Sequence, residues 1–238
     1  MKILLTGSDG FIGSNIRNTD YHFHCLDTKS GKDIMTCELP DVDVVIHLAG
    51  LSGVRDSLDR PTDYWVNNVI ASQRLFDRYK DKRILYASSS TAYEPWKNPY
   101  AMSKYSMEQI APSNSVGMRF TTVYGPGARE TMLIPRILRN DVPYINVNHK
   151  RDFIHVDDVI SAILLLLHNS YKGIIDVGTG VSNKLTDIIS NVGIEAKGQI
   201  GGDNERFDNK ADTSILNSFG WKSNIELFDY IKKNKVVN

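Results

Sequence analysis

The chain has 238 residues, of which 41% are hydrophobic, and its 28 Lys plus Arg balance 28 Asp plus Glu. That length buries a real core as one large domain, or one domain with a small appendage, and the balanced charge argues against nucleic acid or an anionic membrane as partner. Two cysteines, Cys25 and Cys37, are too few for a disulfide framework or a metal cluster, so no metal is expected, and they fit a reducing cytoplasm. The start MKILLTG has neither a long apolar region nor a small-residue cleavage site, and the apolar run Ile160 to Leu167 is too short to span a bilayer, so a cytoplasmic protein is expected.

Along the chain, Ile3 to Leu5 form a short apolar run that stops at Thr6. Gly7, Gly10 and Gly13 follow at intervals of three, with Phe11 and Ile12 between the last two, which predicts a strand, a tight turn and a helix start. Glycine suits that turn because the backbone angles disfavour a Cβ and because a pyrophosphate must approach bare backbone NH groups. A second run, Phe23 to Leu26, ends in Asp27, where a carboxylate at a strand end meets a ribose diol. Both halves of a dinucleotide site are present. Asp27 repels a 2'-phosphate and favours NAD over NADP, with Lys29 pulling the other way. Val42 to Leu48 is a continuous apolar run, as parallel strands buried on both faces require. His47 near its end has no second ligand beside it and is expected to bond to backbone.

Pro61 opens a helix whose Trp65, Val69, Ser72, Phe76 and Tyr79 share one face, read as core or subunit contact. Arg83 to Ala87 is a strand that runs into Ser88, Ser89, Ser90 and Thr91. Hydroxyls at the carboxyl end of a parallel strand lie where open α/β sheets bind ligands. Tyr100 and Lys104, four apart in PYAMSK, project from one face of a helix. Gly117 to Val123 and Gly173 to Val177 are further strands, with a helix from Asp157 to His168 between them. The alternation predicts an α/β fold, a doubly wound parallel Rossmann sheet. Its NAD-binding domain is placed at 1–124, completed by a returning helix and strand near 155–178, with 125–238 mostly a small substrate-binding region.

A tyrosine hydroxyl with a pKa of ~10 is a poor base at neutral pH, and a lysine ammonium one turn away, with the positive nicotinamide ring, favours its phenolate. Ser89 could then hold a substrate hydroxyl while Tyr100 takes its proton and the carbon-bound hydrogen leaves as hydride. The strings TGSDGFIG, HLAG, NNV at Asn67 to Val69, SSSTAY, YAMSK, RFTTVYGPG, RDFIHVDDV and DVGTG occur in this order, and over nearly its whole length the chain resembles the extended short-chain dehydrogenase/reductases of the nucleotide-sugar epimerase and dehydratase group. The resemblance implies that Asp27 takes the adenosine ribose, Asp33 and Ile34 flank the adenine, Leu48 and Ala49 line the cofactor and Asn68 sits beneath it. It implies a catalytic set of Ser89, Tyr100 and Lys104, with Ser90, Thr122, Arg151 and Arg206 toward the substrate and the two arginines on its diphosphate. From the residues alone, Arg151 could instead pair with Asp152, Asp157 or Asp158, and Arg206 could be a solvated surface charge.

The 4,6-dehydratases of this group place an acid pair after the catalytic hydroxyl, where this chain has Ser90 and Thr91. The expected function is therefore an NAD-dependent nucleotide-sugar epimerase acting at the 4-position through a transient 4-keto sugar. A 4-keto-sugar reductase, a 4,6-dehydratase and a non-catalytic nucleotide-binding module are the alternatives. Several segments are short for the group: only EPWKNP lies between Tyr93 and Tyr100, Pro112 ends the helix that carries Lys104, and Thr122 stands where relatives often have asparagine. These departures leave the sugar, and a homodimer formed by paired helices, open.

Overall fold

The computed structural model describes residues 1–236. The amino-terminal half alternates strand and helix: β1 (Ile3–Thr6), α1 (Phe11–Ile16), β2 (Phe23–Leu26), β3 (Val44–His47), α2 (Val54–Asp59), α3 (Pro61–Trp65), α4 (Ala71–Arg78), β4 (Arg83–Ser89) and α5 (Pro99–Ile110). A π-helical turn, Val66–Ile70, joins α3 to α4. The rest adds β5 (Val116–Phe120), β6 (Thr122–Tyr124), α6 (Leu133–Leu138), β7 (Tyr144–Asn146), β8 (Lys150–His155), α7 (Val156–Leu167) and β9 (Gly173–Val177). It closes with β10 (Ser182–Lys184), α8 (Leu185–Asn191), β11 (Lys197–Gln199), α9 (Ser214–Ser218) and α10 (Leu227–Asn234).

Six strands form one parallel sheet in the order β2-β1-β3-β4-β5-β9. The continuous apolar runs have their cause here, because alternate residues of each strand face opposite helical layers. Ile3, Leu5, Val44, Ile46 and Leu85 pack toward α1 and α7, and Leu4, Val45, Ile84 and Tyr86 toward α4 and Met107 of α5. The strand order reverses between β1 and β3, and a crevice outside the carboxyl ends opens at such a switch point. A third cluster, with Tyr124, Ile137, Phe153, Ile188 and Ile231, is the core of the carboxyl-terminal part.

Two sequence expectations change, and one alternative falls away. Gly117 to Val123 is not one strand. At Thr121, whose N–H donates to the Val177 carbonyl at 3.1 Å, the chain leaves the large sheet, and Thr122 to Tyr124 pair instead with Phe153 to His155 in the sheet β10-β8-β6. Trp65 does not share the buried face of Val69, Ser72, Phe76 and Tyr79 and is 45% exposed, because the wider π turn after it rotates the helix relative to α3. The acids near Arg151 do not pair with it. Asp152 is fully buried and accepts from the N–H groups of Thr179, Gly180 and Ala211, and Asp158 accepts from those of Asn224 and Ile225. These carboxylates fasten later segments to β8 and α7 through backbone donors that burial would otherwise leave unpaired.

Candidate active site

The glycine turn after β1 is built for close approach. Gly7 has φ +69°, and a Cβ there would lie 2.6 Å from the Ala49 nitrogen; a Cβ on Gly13 would lie 2.0 Å from the Gly7 carbonyl oxygen. Leu48 and Ala49 therefore abut the turn directly, and Phe11 and Ile12 begin α1 with their N–H groups free of intrahelical partners. Asp27 stands at the end of β2, and its carboxylate accepts from the Asp9 and Lys29 N–H groups, each at 2.9 Å. The Lys29 ammonium turns back onto the Asp9 carbonyl at 2.9 Å. Asp33 accepts from Met35 N–H within its own turn, and Ile34 is buried against the sheet's α4 side.

His47 is bonded to side chains, not to backbone as expected. Thr6 Oγ1 lies 2.7 Å from its Nδ1 and Ser72 Oγ 2.8 Å from its Nε2, while Ser72 donates to the Asn68 carbonyl at 2.8 Å. Burial, then Lys104, pushes the imidazole down to about 3, so it is neutral and carries one N–H. It links the glycine turn to Asn68. Asn68, fully buried in the π turn, accepts from Leu51 N–H at 2.7 Å and donates to the Leu51 carbonyl and to Ser103 Oγ. Gly50 lies directly over it: a Cβ there would come 2.8 Å from Asn68 Oδ1 and 3.4 Å from Lys104 Nζ.

Ser89, Tyr100 and Lys104 meet at the carboxyl end of β4. That strand extends to Ser89, beyond the predicted Ala87, and Asn98 caps α5 by accepting from Ala101 N–H at 2.8 Å. Lys104 is 4% exposed and donates to the Ala87 carbonyl at 2.7 Å; burial pushes it down to about 8 against the pull of Glu108. Ser89 Oγ accepts from Thr91 Oγ1 at 2.9 Å and from Thr91 N–H at 3.2 Å, which leaves its own proton to donate. Burial pushes the Tyr100 phenol up; a hydrogen bond from Ser89 and the charge of Arg129 oppose that shift. Lys104 is not among the groups that move it.

On the other side of the crevice, Arg206 is no solvated charge. It donates to the Ser90 carbonyl at 2.5 Å, lies 3.1 Å from Glu94, and stands over the Tyr93 ring. Arg151 donates to the carbonyls of Arg206 and Phe207 and to Glu205 Oε2 at 3.0 Å. Thr122 Oγ1 accepts from Asn209 at 3.0 Å. Residues 203–207 thus form a strap from the carboxyl-terminal part across the Ser90 and Asn98 region, fastened also by Lys97 and Asn98, which donate to its carbonyls.

Several contributors carry no local signal strong enough to find them in the sequence. Arg129 comes from the loop after β6 and donates to the Ser52 carbonyl at 3.2 Å. Glu108 is the exception, being one more turn along the Tyr100, Lys104 face. It accepts from Ser88 at 2.5 Å and holds Arg119 through both oxygens at 2.8 and 2.6 Å, and Arg119 stacks on Tyr93 at 4.1 Å. No cluster of His, Cys, Asp and Glu fit for a metal occurs among the described residues.

The model of the NAD dependent epimerase/dehydratase family matches residues 3–178. The chain is 30% identical to a putative UDP-glucose 4-epimerase of Methanocaldococcus jannaschii, with 99% of this chain and 97% of that one covered. Among solved structures it is similar to MoeE5 in complex with UDP-glucuronic acid and NAD (TM-score 0.87, 26% identity, 98% and 97% covered). It is likewise similar to the UDP-N-acetylglucosamine 4-epimerase of Methanobrevibacter ruminantium M1 in complex with UDP-N-acetylmuramic acid (TM-score 0.85, 26% identity, 98% and 96% covered).

Proposed function

The chain belongs to the NAD dependent epimerase/dehydratase family, and from that premise we infer that it is an NAD-dependent nucleotide-sugar epimerase acting at the 4-position. The observation that carries this reading is the meeting of Ser89, Tyr100 and Lys104 beside a cradle, Gly7, Gly13 and Gly50, into which no Cβ fits. The site has the make-up NAD needs: bare turn NH groups for its diphosphate, the Asp27 carboxylate for a ribose diol, and Asn68 and Lys104 under Gly50. Bound NAD supplies a hydride acceptor and donor for one sugar carbon.

The rest falls to this chain's residues. Ser89, its oxygen saturated by Thr91, donates to Tyr100 and orients the sugar hydroxyl. Tyr100 takes that hydroxyl's proton and later returns it. The Ser89 hydrogen bond and the Arg129 charge favour the Tyr100 phenolate against burial, while the buried Lys104 ammonium, fixed on the Ala87 carbonyl beneath Gly50, is placed to hold the cofactor. Ser90 and Thr91 put no carboxylate after Ser89, and the next acid along the chain, Glu94, is engaged with Arg206 and Lys97; this favours epimerisation over water elimination. Residues 125–238 act mostly as the substrate region.

For the sugar, Arg129 favours one bearing a carboxylate. It acts on Tyr100 and is in no ion pair among the described residues, whereas Arg55, Arg151 and Arg206 each face a glutamate. The bound UDP-glucuronic acid of MoeE5 is such a sugar. Incubation with UDP-glucuronate, UDP-glucose, UDP-galactose and their N-acetyl forms tests the reading by product analysis. A 4-epimer is expected, formed fastest from the sugar acid. Stoichiometric NADH without an epimer would make the chain a dehydrogenase, and equal rates with neutral sugars would remove the carboxylate assignment. The exposed Trp65, Ile70, Met102 and Tyr105 on the helical face of α3 to α5 favour a homodimer through that face.

A further inference from the structure

Arg151 has little left to offer a ligand in the free protein. Its two terminal nitrogens are spent on the Lys150, Arg206 and Phe207 carbonyls, on His149 Nδ1 at 3.1 Å and on Glu205 Oε2 at 3.0 Å. Glu205 is shared. Its other oxygen lies 3.7 Å from Nε of Arg55, which α2 sends in from the opposite wall and which also packs on the Tyr144 ring. His149 does not balance the carboxylate, because it accepts from Arg151 and is pushed down by burial and by Arg151; Glu205 alone pulls it back up. Two guanidiniums therefore converge on one internal anion.

This cluster borders the candidate sugar pocket. The strap that carries Glu205 is fastened at Asn98, two residues before Tyr100, and at Ser90, next to Ser89. A diphosphate linked to a sugar at Tyr100 therefore has this strap as a neighbour. The neighbouring cations are already matched, Arg206 and Lys97 by Glu94. Carboxylate and phosphate satisfy an arginine fork with the same geometry, so a carboxylate held between two arginines marks a place a phosphate can take.

We propose that Arg55 is a second arm of the diphosphate site, opposite Arg151, and that Glu205 fills this site in the free protein as an internal anion the substrate must displace. The proposal rests on the nucleotide-sugar reading. Substrate affinity is then lowered by the fraction of molecules in which Glu205 holds the arms, as in any equilibrium where the competent state is a minority.

Calorimetric titration of the NAD-loaded protein with UDP tests it. Arg55→Ala should weaken UDP about tenfold, the loss of one charge-assisted contact, with NAD affinity unchanged. Glu205→Gln should tighten UDP by about fivefold, and Glu205→Asp, which keeps the charge but reaches less far, should fall between Gln and wild type. If Glu205 only props the strap, both variants weaken UDP, and the proposal is overturned. Unchanged UDP affinity in Arg55→Ala overturns it as well. Should the wild type bind none of UDP, ADP, GDP and dTDP, the nucleotide-sugar reading itself fails, and this inference with it.

Discussion

In the free protein Tyr100 is a phenol that burial holds above its ordinary range, with Ser89 and Arg129 drawing it back. Removing the hydroxyl leaves the fold its ring, which packs edge-on against Tyr64 at 6.0 Å. Tyr100→Phe should therefore lower kcat by about 100-fold or more, the share of a positioned acid-base group, and spare NAD affinity; wild-type turnover in that variant would remove Tyr100 from the mechanism. Arg129→Ala should slow the sugar-acid substrate more than a neutral one, read as the ratio of their kcat/KM values. At Gly13 the neighbours are backbone atoms, which cannot swing aside, so Gly13→Ala should abolish NAD binding and lower the melting temperature. Tyr100, Lys104 and Gly13 were legible in the sequence because each sits in a local pattern whose period matches its element. Arg129 and Glu205 were not, because their roles come from loops that only tertiary contacts bring to α5 and β8.

At the scale of elements, α5 does more than present Tyr100. Its Lys104 and Glu108 lie one turn apart, and Glu108 joins β4 through Ser88 and β5 through Arg119. Lys104 is charged below its lowered value of about 8 and neutral above it. If bound NAD is held through the ammonium form, kcat/KM falls as pH rises through that value. Glu108 raises Lys104, so Glu108→Gln should move this alkaline limb to lower pH, an effect that loose packing alone would not give. Glu108→Ala leaves the largely buried Arg119 without its partner and should cost about 3 kcal/mol in a denaturant titration. The strand pair β5 and β6 teaches a different lesson. GMRFTTV reads as a single strand because both pieces are apolar and β-prone, and nothing local marks Thr121 as the point where the chain changes sheets.

For the whole molecule, the cradle lies between β1, β2 and β3 and the strap comes from residues 203–207, so ligands at the two sites brace parts far apart in sequence. NAD at about 100 times its Kd should add about 2.7 kcal/mol of stability, a rise of roughly 5–10 °C in melting temperature for a chain of this size; no shift would argue against the cradle. Sedimentation should give about twice 26.8 kDa, and Trp65→Asp should return the monomer if the helical face is the contact. The sequence by itself determined the alternating α/β order, the glycine cradle with Asp27 and the Tyr100, Lys104 face, because those depend on periodicity and backbone sterics within a few residues. Tertiary structure alone decided the neutral His47 relay between Thr6 and Ser72, the work of Asp152 and Asp158 on distant backbone, and the seating of Arg151 on Glu205. In each case the partner lies dozens of residues away, and desolvation, which sets the charge and the bonding of a buried polar group, exists only once the chain has folded around it.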